Sequence, residues 1–419
     1  MKKPAKIYYF TLTDEMLRED KLNWFASTKF EDIPFDRIEP DKNNNWLNLA
    51  DNDFDDLLPL ATKETKLAKS QKEERAIFKL FSLGVVTARD EWVYDFDEQN
   101  LNEKVNFFID TYNHSDENAP SDCVIKWTRA IKKDFAKNTK YTFCKSLIVN
   151  SSYRPFIIKK LYFSKELNEM QYQLHSLFAK PCNLVICMTM HKQVPFAVQA
   201  SKFVFDYGYG ARDTQGIPLY RYDSEGNRTD NITNWGLNQF QTHYQDNTIT
   251  KENLFHYTYA ILHHPAYRQK YALNLKREFP RLPFYENLLQ WVNWGKQLMG
   301  LHLNYEQAKK YPLKQIELDT KKQNKPKLKA DKDAGKIYLD TITTLQGIPS
   351  IAWEYKLGNR SALEWILDQY KEKKPRDKTI AEKFNTYQFA DYKEQVIELL
   401  QRICTVSVET MKIIEEMPE

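Results

Sequence analysis

Glycine is scarce in this 419-residue chain, 11 in all, and the scarcity argues against a fold built on Gly-rich phosphate loops. The nucleotide-binding pattern G-x-x-x-x-G-K-[ST] is absent. The one close pair, Gly208-Tyr209-Gly210, lacks a third glycine and a following helix, and reads as a turn. No two prolines are adjacent, so the [DNS]-P-P-[YFW] loop with which adenine-modifying methyltransferases hold an extruded base is missing. Nucleophile elbows, H-E-x-x-H helices and zinc-deaminase signatures are missing too. No apolar run approaches the ~18 residues that span a bilayer. The run Ile7–Phe10 behind a lysine-rich start is too short for a signal-peptide core. A cytoplasmic protein is the expectation.

Cysteine is sparse as well. Cys123, Cys144, Cys182, Cys187 and Cys404 are scattered, and none forms a C-x-x-C pair. Cys182 and Cys187 fall on opposite faces of an apparent strand. Reduced, buried thiols fit this pattern better than zinc ligands do. His263-His264 tempts a metal reading, but adjacent helical positions point ~100° apart, and a helix C-terminus favours imidazole through its dipole alone. Asp51, Asp53, Asp55 and Asp56 read as a solvated acidic turn without a nucleophilic or basic neighbour. No residue is assigned a catalytic or metal-binding role.

What is present is a well-mixed folding composition, 42% hydrophobic and 28% charged, with 25 Tyr and 24 Phe. That suffices for two or three domains with their own cores. The net charge of +4 conceals an asymmetry. Residues 1–120 carry 16 basic and 25 acidic side chains, a net of −9, and the remainder carries +13. Residues 121–180 alone hold 12 basic and 4 acidic side chains. A basic block beside an acidic one points to a polyanion partner for the first and a protein neighbour for the second.

Periodicity predicts helices over 12–30, 63–81 and 101–112, and a basic helix from about 122 to 137. Its apolar stripe is Val124, Trp127, Ile131 and Phe135; Lys126, Arg129, Lys133 and Lys137 mark another face. Strands follow over 146–150, 157–163, 183–190, 196–205 and 219–222. Helices return from 231 to 303, with Thr250 capping 253–263 and Pro265 opening the next. Residues 309–336 read as a solvated connector, followed by a short hairpin and a closing helix over 389–416. Ile7–Phe10 is a short strand with no sheet close behind it. The fold class is mixed α/β (α+β). Its expected parts are a helical N-terminal segment (1–118, ending in the polar linker 113–120), a basic β-rich domain (119–305) and a helical C-terminal part (306–419).

Four cations on one helix are often no more than a solvated face, but the next block repeats the message. Tyr153-Arg154-Pro155-Phe156-Ile157-Ile158-Lys159-Lys160 interleaves aromatics with cations, and the loop 206–228 adds Arg212, Arg221 and Arg228 among Tyr207, Tyr209 and Tyr220. Such mixtures suit phosphate contact together with base-edge contact.

These residues resemble the C-terminal target-recognition region of type ISP restriction–modification enzymes, single chains that join nuclease, helicase, adenine-N6 methyltransferase and recognition domains. The strongest likeness is Leu80-Phe81-Ser82-Leu83-Gly84-Val85-Val86-Thr87-Ala88-Arg89-Asp90-Glu91-Trp92-Val93-Tyr94-Asp95. Asp41–Leu47 with Asp51–Phe54, Tyr153–Phe156, Pro218–Tyr220, Tyr259–Arg268 and Ile351–Trp365 extend it in the same order. One departure is local: related methyltransferases often follow R-P-F with Asp, where this chain has Ile157.

The resemblance implies recognition of double-stranded DNA, positioning an adenine for methylation by a methyltransferase core encoded upstream. Ile7–Phe10 would be the last strand of that core. S-adenosylmethionine is then expected only in the core, with no cofactor on this chain. Phosphate contacts are expected from Lys126, Arg129, Lys133 and Lys137. The candidates for reading base edges are Arg154, Lys159, Tyr209, Arg212 and Arg221, arginine being the best bidentate partner for guanine. An RNA- or protein-binding adaptor and a diverged Mg-dependent nuclease stay open as alternatives.

Overall fold

Thr250 caps the helix Lys251–His263 as its sequence predicts. The Thr250 Oγ1 accepts the Asn253 N–H, and the Asn253 side chain returns to the Thr250 N–H. Pro265 then opens the helix Pro265–Lys270. Every residue from Leu254 to His263 is buried, the signature of an enclosed helix. Its partner is Leu288–Leu303, and the two approach so closely that a Cβ on Gly295 would lie 1.9 Å from the His256 carbonyl oxygen.

The structure, a computed structural model, describes residues 5–13, 15–40, 46, 52–115, 124–179, 183–191, 193–318 and 324–419. Cys123, Cys182, Asp51, most of the 41–47 motif, the linker from 116 to 120 and the start of the 122–137 helix lie outside them. The fold is mixed α/β. Among the described residues, no helix is long and apolar enough to cross a membrane.

Among the described residues, three four-stranded sheets organise the fold. One sets Ser82–Leu83, Thr214–Pro218, Val185–Thr189 and Ala197–Ser201 side by side, all antiparallel. Strand alternation makes it a partition: Ile186 and Met188 enter one core with the helix pair, while Val185 and Cys187 enter another with the helix Glu98–Asn113. A second sheet joins Tyr94–Asp95, Ile157–Tyr162, Ile148–Arg154 and Val204–Phe205. The third, Lys314–Glu317, Thr343–Gln346, Lys336–Asp340 and Pro326–Asp331, packs on the helices Ala362–Gln369 and Phe389–Glu415 around a third core.

Several expectations need correction. Within 63–81 the α-helix covers only Lys63–Leu67, followed by a single 3-10 turn at Gln71–Glu73. Ala76–Phe78 is non-helical and buried, with Ile77 N–H on the Pro59 carbonyl and Phe78 N–H on that of Leu60. A short apolar run buried on all sides carries no helical period to distinguish it from a strand. The connector 309–336 contains two strands of the third sheet. Ile7–Tyr9 does find a partner, Asp36–Ile38, with Ile7 opposite Ile38. Within 12–30, the α-helix covers Arg18–Ser27 and buries none of its side chains. The cores also cut across the boundaries at 118 and 305. One combines Leu101 to Tyr112 with Ile125, Leu161 and Phe205; another combines Ile77 with Leu298 and Met417.

The helix pair yields a contrast within one helix. Gly295→Ala forces a methyl into the His256 backbone and should cost about 1–3 kcal/mol or more. Gly300, with nothing within 4 Å of its would-be Cβ, should gain about 0.5–1 kcal/mol as alanine. Urea midpoints of the two variants check this, and equal midpoints would contradict the packing described.

Candidate nucleic-acid interface

Ile148–Arg154 and Ile157–Tyr162 form an antiparallel hairpin turning at Pro155 and Phe156, the latter at φ +60°. Phe156 reaches into the third core against Tyr305, ring centroids 5.2 Å apart, which fixes the hairpin tip. Val204–Phe205 joins the other edge in parallel, Val204 opposite Ser151. That register delivers Asp206 beside Arg154.

Arg154 Nη1 donates to Asp206 Oδ1 at 2.7 Å. The same oxygen accepts the Gly208 N–H at 2.8 Å, and Tyr94 Oη donates to Oδ2 at 3.2 Å. Asp90 accepts from Tyr153 Oη at 3.1 Å and from Thr87 Oγ1. A Cβ at Gly84 would stand 2.5 Å from the Asp206 carbonyl, so only glycine lets the two segments touch. The Tyr207 N–H then reaches the Val85 carbonyl at 3.0 Å.

Residues 85–88, 206–208 and 211–213, with Asp90, Arg154 and His191, line a cavity of about 370 Å³. Ala88 and Asp213 on its wall hold φ of +56° and +51°, a conformation costing non-glycine residues on the order of 1–3 kcal/mol. Arg212 on this lining is exposed, without an ion pair or hydrogen bond among the described residues. His191 Nε2 lies 3.7 Å from Asp213 Oδ2.

The Arg154 guanidinium is committed to Asp206, and Asp90 acts on both from nearby. Burial, with Asp90 adding to it, pushes Asp206 up to about 6 despite Arg154. Burial opposes the charge on Arg154, but Asp206, Tyr153 and Asp90 more than offset it and raise its pKa. Both shifts favour the protonated form, Asp206 through burial and Arg154 through its acidic neighbours.

The candidate residues are distributed unevenly over this site. Arg154 lines the cavity with its guanidinium committed to Asp206. Lys159 sits with its ammonium 4.4 Å from the Tyr153 ring centre and 4.5 Å from that of Phe96. Burial first, then Arg154, draws its pKa down to about 8. Tyr209 is a core residue, 4% exposed, which corrects its assignment to base contact in this conformation. Arg212 is free. Arg221 belongs to the separate hairpin Tyr220–Tyr222/Arg228–Asp230, its Nε on the Asp230 carbonyl at 3.3 Å. The five-residue strand Thr214–Pro218, about 17 Å long, divides it from Arg212.

The basic helix is shorter than its sequence predicts, Arg129–Phe135. Lys126 precedes it and Lys137 follows it. These two, Arg129 and Lys133 are all exposed and make no ion pair among the described residues. Ile131 is buried as expected, whereas Val124 is 40% exposed. Arg89, buried beside the cavity wall, donates to Thr128 at the start of this helix, tying the basic surface to the loops. Lys132, His191 and Asp213 were missed in sequence. Lys132 was recoverable, three positions from Arg129 and equally exposed; the other two carry no local signal. Two acids of the acidic turn are paired within the fold, Asp53 by Lys270 and Tyr271 and Asp55 by Arg281. His263 and His264 bond separately to the carbonyls of Tyr259 and Pro418.

The Asp206 shift has a definite sign. A carboxyl raised from its ordinary 3.8 to about 6 contributes stability that is complete below the lower value and lost as pH rises through the upper one. Wild type should therefore lose stability relative to Asp206→Asn between pH ~4 and ~6. Urea midpoints across that window check it, and a constant difference would contradict the raised Asp206 carboxyl.

No curated protein matches the chain. Among solved structures, it resembles a DrdV–DNA complex seen by cryo-electron microscopy, at TM-score 0.85 and 48% identity over 99% of this chain and 43% of that one. A nuclease-deletion mutant of the type ISP restriction–modification enzyme LlaGI, in complex with a DNA substrate mimic, matches at TM-score 0.75 and 28% identity, over 100% of this chain and 40% of that one. The ATP-dependent type ISP enzyme LlaBIII bound to DNA matches at 0.77 and 25%, over 92% and 25%. The chain thus spans less than half the length of the proteins it matches. The model of the type ISP C-terminal specificity domain matches residues 76–399. With that match covering most of its length, the chain belongs to the family of type ISP C-terminal specificity domains.

Proposed function

We propose that the chain recognises a specific sequence in double-stranded DNA for a restriction–modification enzyme, positioning an adenine for N6 methylation by a core outside this chain. The observation that carries this reading is the cavity whose loops are locked by Asp206 while Arg212 on the same lining stays unpaired. A rigid backbone beside a free guanidinium is what bidentate contact with guanine O6 and N7 requires. The unpaired cations Lys126, Arg129, Lys133 and Lys137 support the phosphate side of the reading, and the DNA-bound relatives support the partner. On this reading the chain alone performs no catalysis, and S-adenosylmethionine binds elsewhere.

The N-terminal segment supports a coupling role. Tyr8, Leu22, Phe25 and Phe30 are each more than half exposed, an apolar surface unusual for a segment facing only water. The proposed occupant of that surface is the methyltransferase core. The two carboxylates at this cavity, Asp90 and Asp206, are held by Tyr153, Thr87, Arg154 and Tyr94.

Holding and reading separate experimentally. Changing Lys126, Arg129, Lys133 and Lys137 to Gln should weaken all duplexes alike and make the slope of log K against log salt shallower by about 3.6, for ~4 phosphates. Arg212→Lys keeps charge but loses the fork. It should leave random-duplex affinity nearly unchanged while relaxing preference at one base pair by ~1–3 kcal/mol. Selection from a random duplex library reads the second effect and salt titration the first. Unchanged base preference in Arg212→Lys would take it off the reading surface.

A further inference from the structure

The loop between Phe205 and Thr214 carries, next to Arg212, a group of opposite sign. Asp213 lines the same cavity with its side chain 36% exposed, so it is open to a ligand. Among the described residues it accepts no hydrogen bond, and Arg212 makes no ion pair with it. His191 stands opposite. The Gln193 N–H donates to His191 Nδ1 at 3.2 Å, so the neutral ring carries its proton on Nε2. That N–H faces Asp213 Oδ2 across 3.7 Å, beyond hydrogen-bond reach. Both carboxylate oxygens keep their acceptor sites.

The backbone holds this carboxylate in place. The Thr214 N–H donates to the Tyr207 carbonyl and the Tyr209 N–H to the Asp206 carbonyl, both at 3.0 Å, and the Tyr209 ring roots the loop in the core. Within that frame Asp213 keeps φ at +51°, a strain of the kind that clusters at functional sites. A fixed anion is out of place on a surface that meets phosphates, because like charges repel. It has a place where it reads a donor. The donors on base edges in the major groove are cytosine N4 and adenine N6, and adenine sets the N7 acceptor beside its amino group. A carboxylate has acceptors and no donor, so its second oxygen meets a lone pair on adenine but none on cytosine. Guanine O6 and N7 and thymine O4 are acceptors and repel it.

We propose that Asp213 reads a cytosine in the target, accepting a hydrogen bond from its N4 amino group. This rests on the reading of the cavity as a base-reading surface and names a base for it. The test selects targets from a random duplex library with the full 419-residue chain, as wild type, Asp213→Asn and Asp213→Gly. Asn and Gly both adopt a positive φ, so thermal midpoints should hold. Wild type should enrich a target with an obligatory cytosine. Asp213→Gly should lose about 5- to 150-fold of the preference for it. Asp213→Asn, with one donor and one acceptor to match adenine N7 and N6, should move that preference toward adenine. Both variants should bind random duplexes about 2- to 5-fold more tightly at low salt, one repulsive charge having gone. A purely structural role would instead weaken every duplex. Wild-type base preference kept in both variants overturns the proposal, as does a uniform loss of affinity or a lost preference for a base other than cytosine. A wild-type chain that enriches no sequence overturns the reading on which the proposal rests, and that result is seen without either variant.

Discussion

The contact between Arg154 and Asp206 is the constraint on which the site depends. It joins two segments far apart in the chain, the hairpin Ile148–Tyr162 and the loop that carries Arg212. It also fixes the loop backbone, because the same carboxylate accepts the Gly208 N–H and the Tyr94 hydroxyl. A buried pair of this kind is a weak source of net stability, since desolvation consumes much of the Coulomb attraction. What it provides is direction. A guanidinium and a carboxylate match in one geometry, whereas apolar side chains of equal volume slide.

Rigidity is then passed outward. Phe156 anchors the hairpin tip in the third core, Gly84 lets the 85–90 segment lie against Asp206, and Arg89 reaches on to Thr128 at the basic helix. Arg154, Tyr153, Asp90 and Asp206 satisfy one another inside, so they hold the site, while Arg212 and the exposed lysines face outward. Division of labour of this kind fits recognition: phosphate contacts set position, and a few rigid groups discriminate among bases.

The sequence made much of the fold legible where a periodic pattern met a strong boundary. The capped helix at Thr250, the helix Glu98–Asn113 and the long C-terminal helix all carry an apolar seam between clear stops. It failed where burial removes the period, as at Ala76–Phe78, or where a polar edge hides it. Pro326–Asp331 buries only Leu328 in a lysine-rich strand, so composition argued for a solvated connector. The site was half legible. Interleaved cations and aromatics drew attention to 153–160 and 206–228, but type alone cannot say which cation faces outward. Arg154, Lys159 and Tyr209 were indistinguishable from Arg212 until Asp206, Phe96 and the core around Cys187 were in place. Asp206 itself, a lone acid between Phe205 and Tyr207, gave no sign of its partner 52 positions earlier.

The most direct test of this account replaces the pair rather than the reader. Arg154→Met and Asp206→Leu each leave a charge buried without its partner and should cost about 3–5 kcal/mol. The double variant removes both charges and should recover most of that loss. Its preference for duplexes selected by the wild-type chain over random ones is the decisive measurement. The account predicts a stable double variant that binds DNA with its discrimination largely lost, because the loop keeps its packing but not its aim. A stable double variant that discriminates like wild type would contradict it.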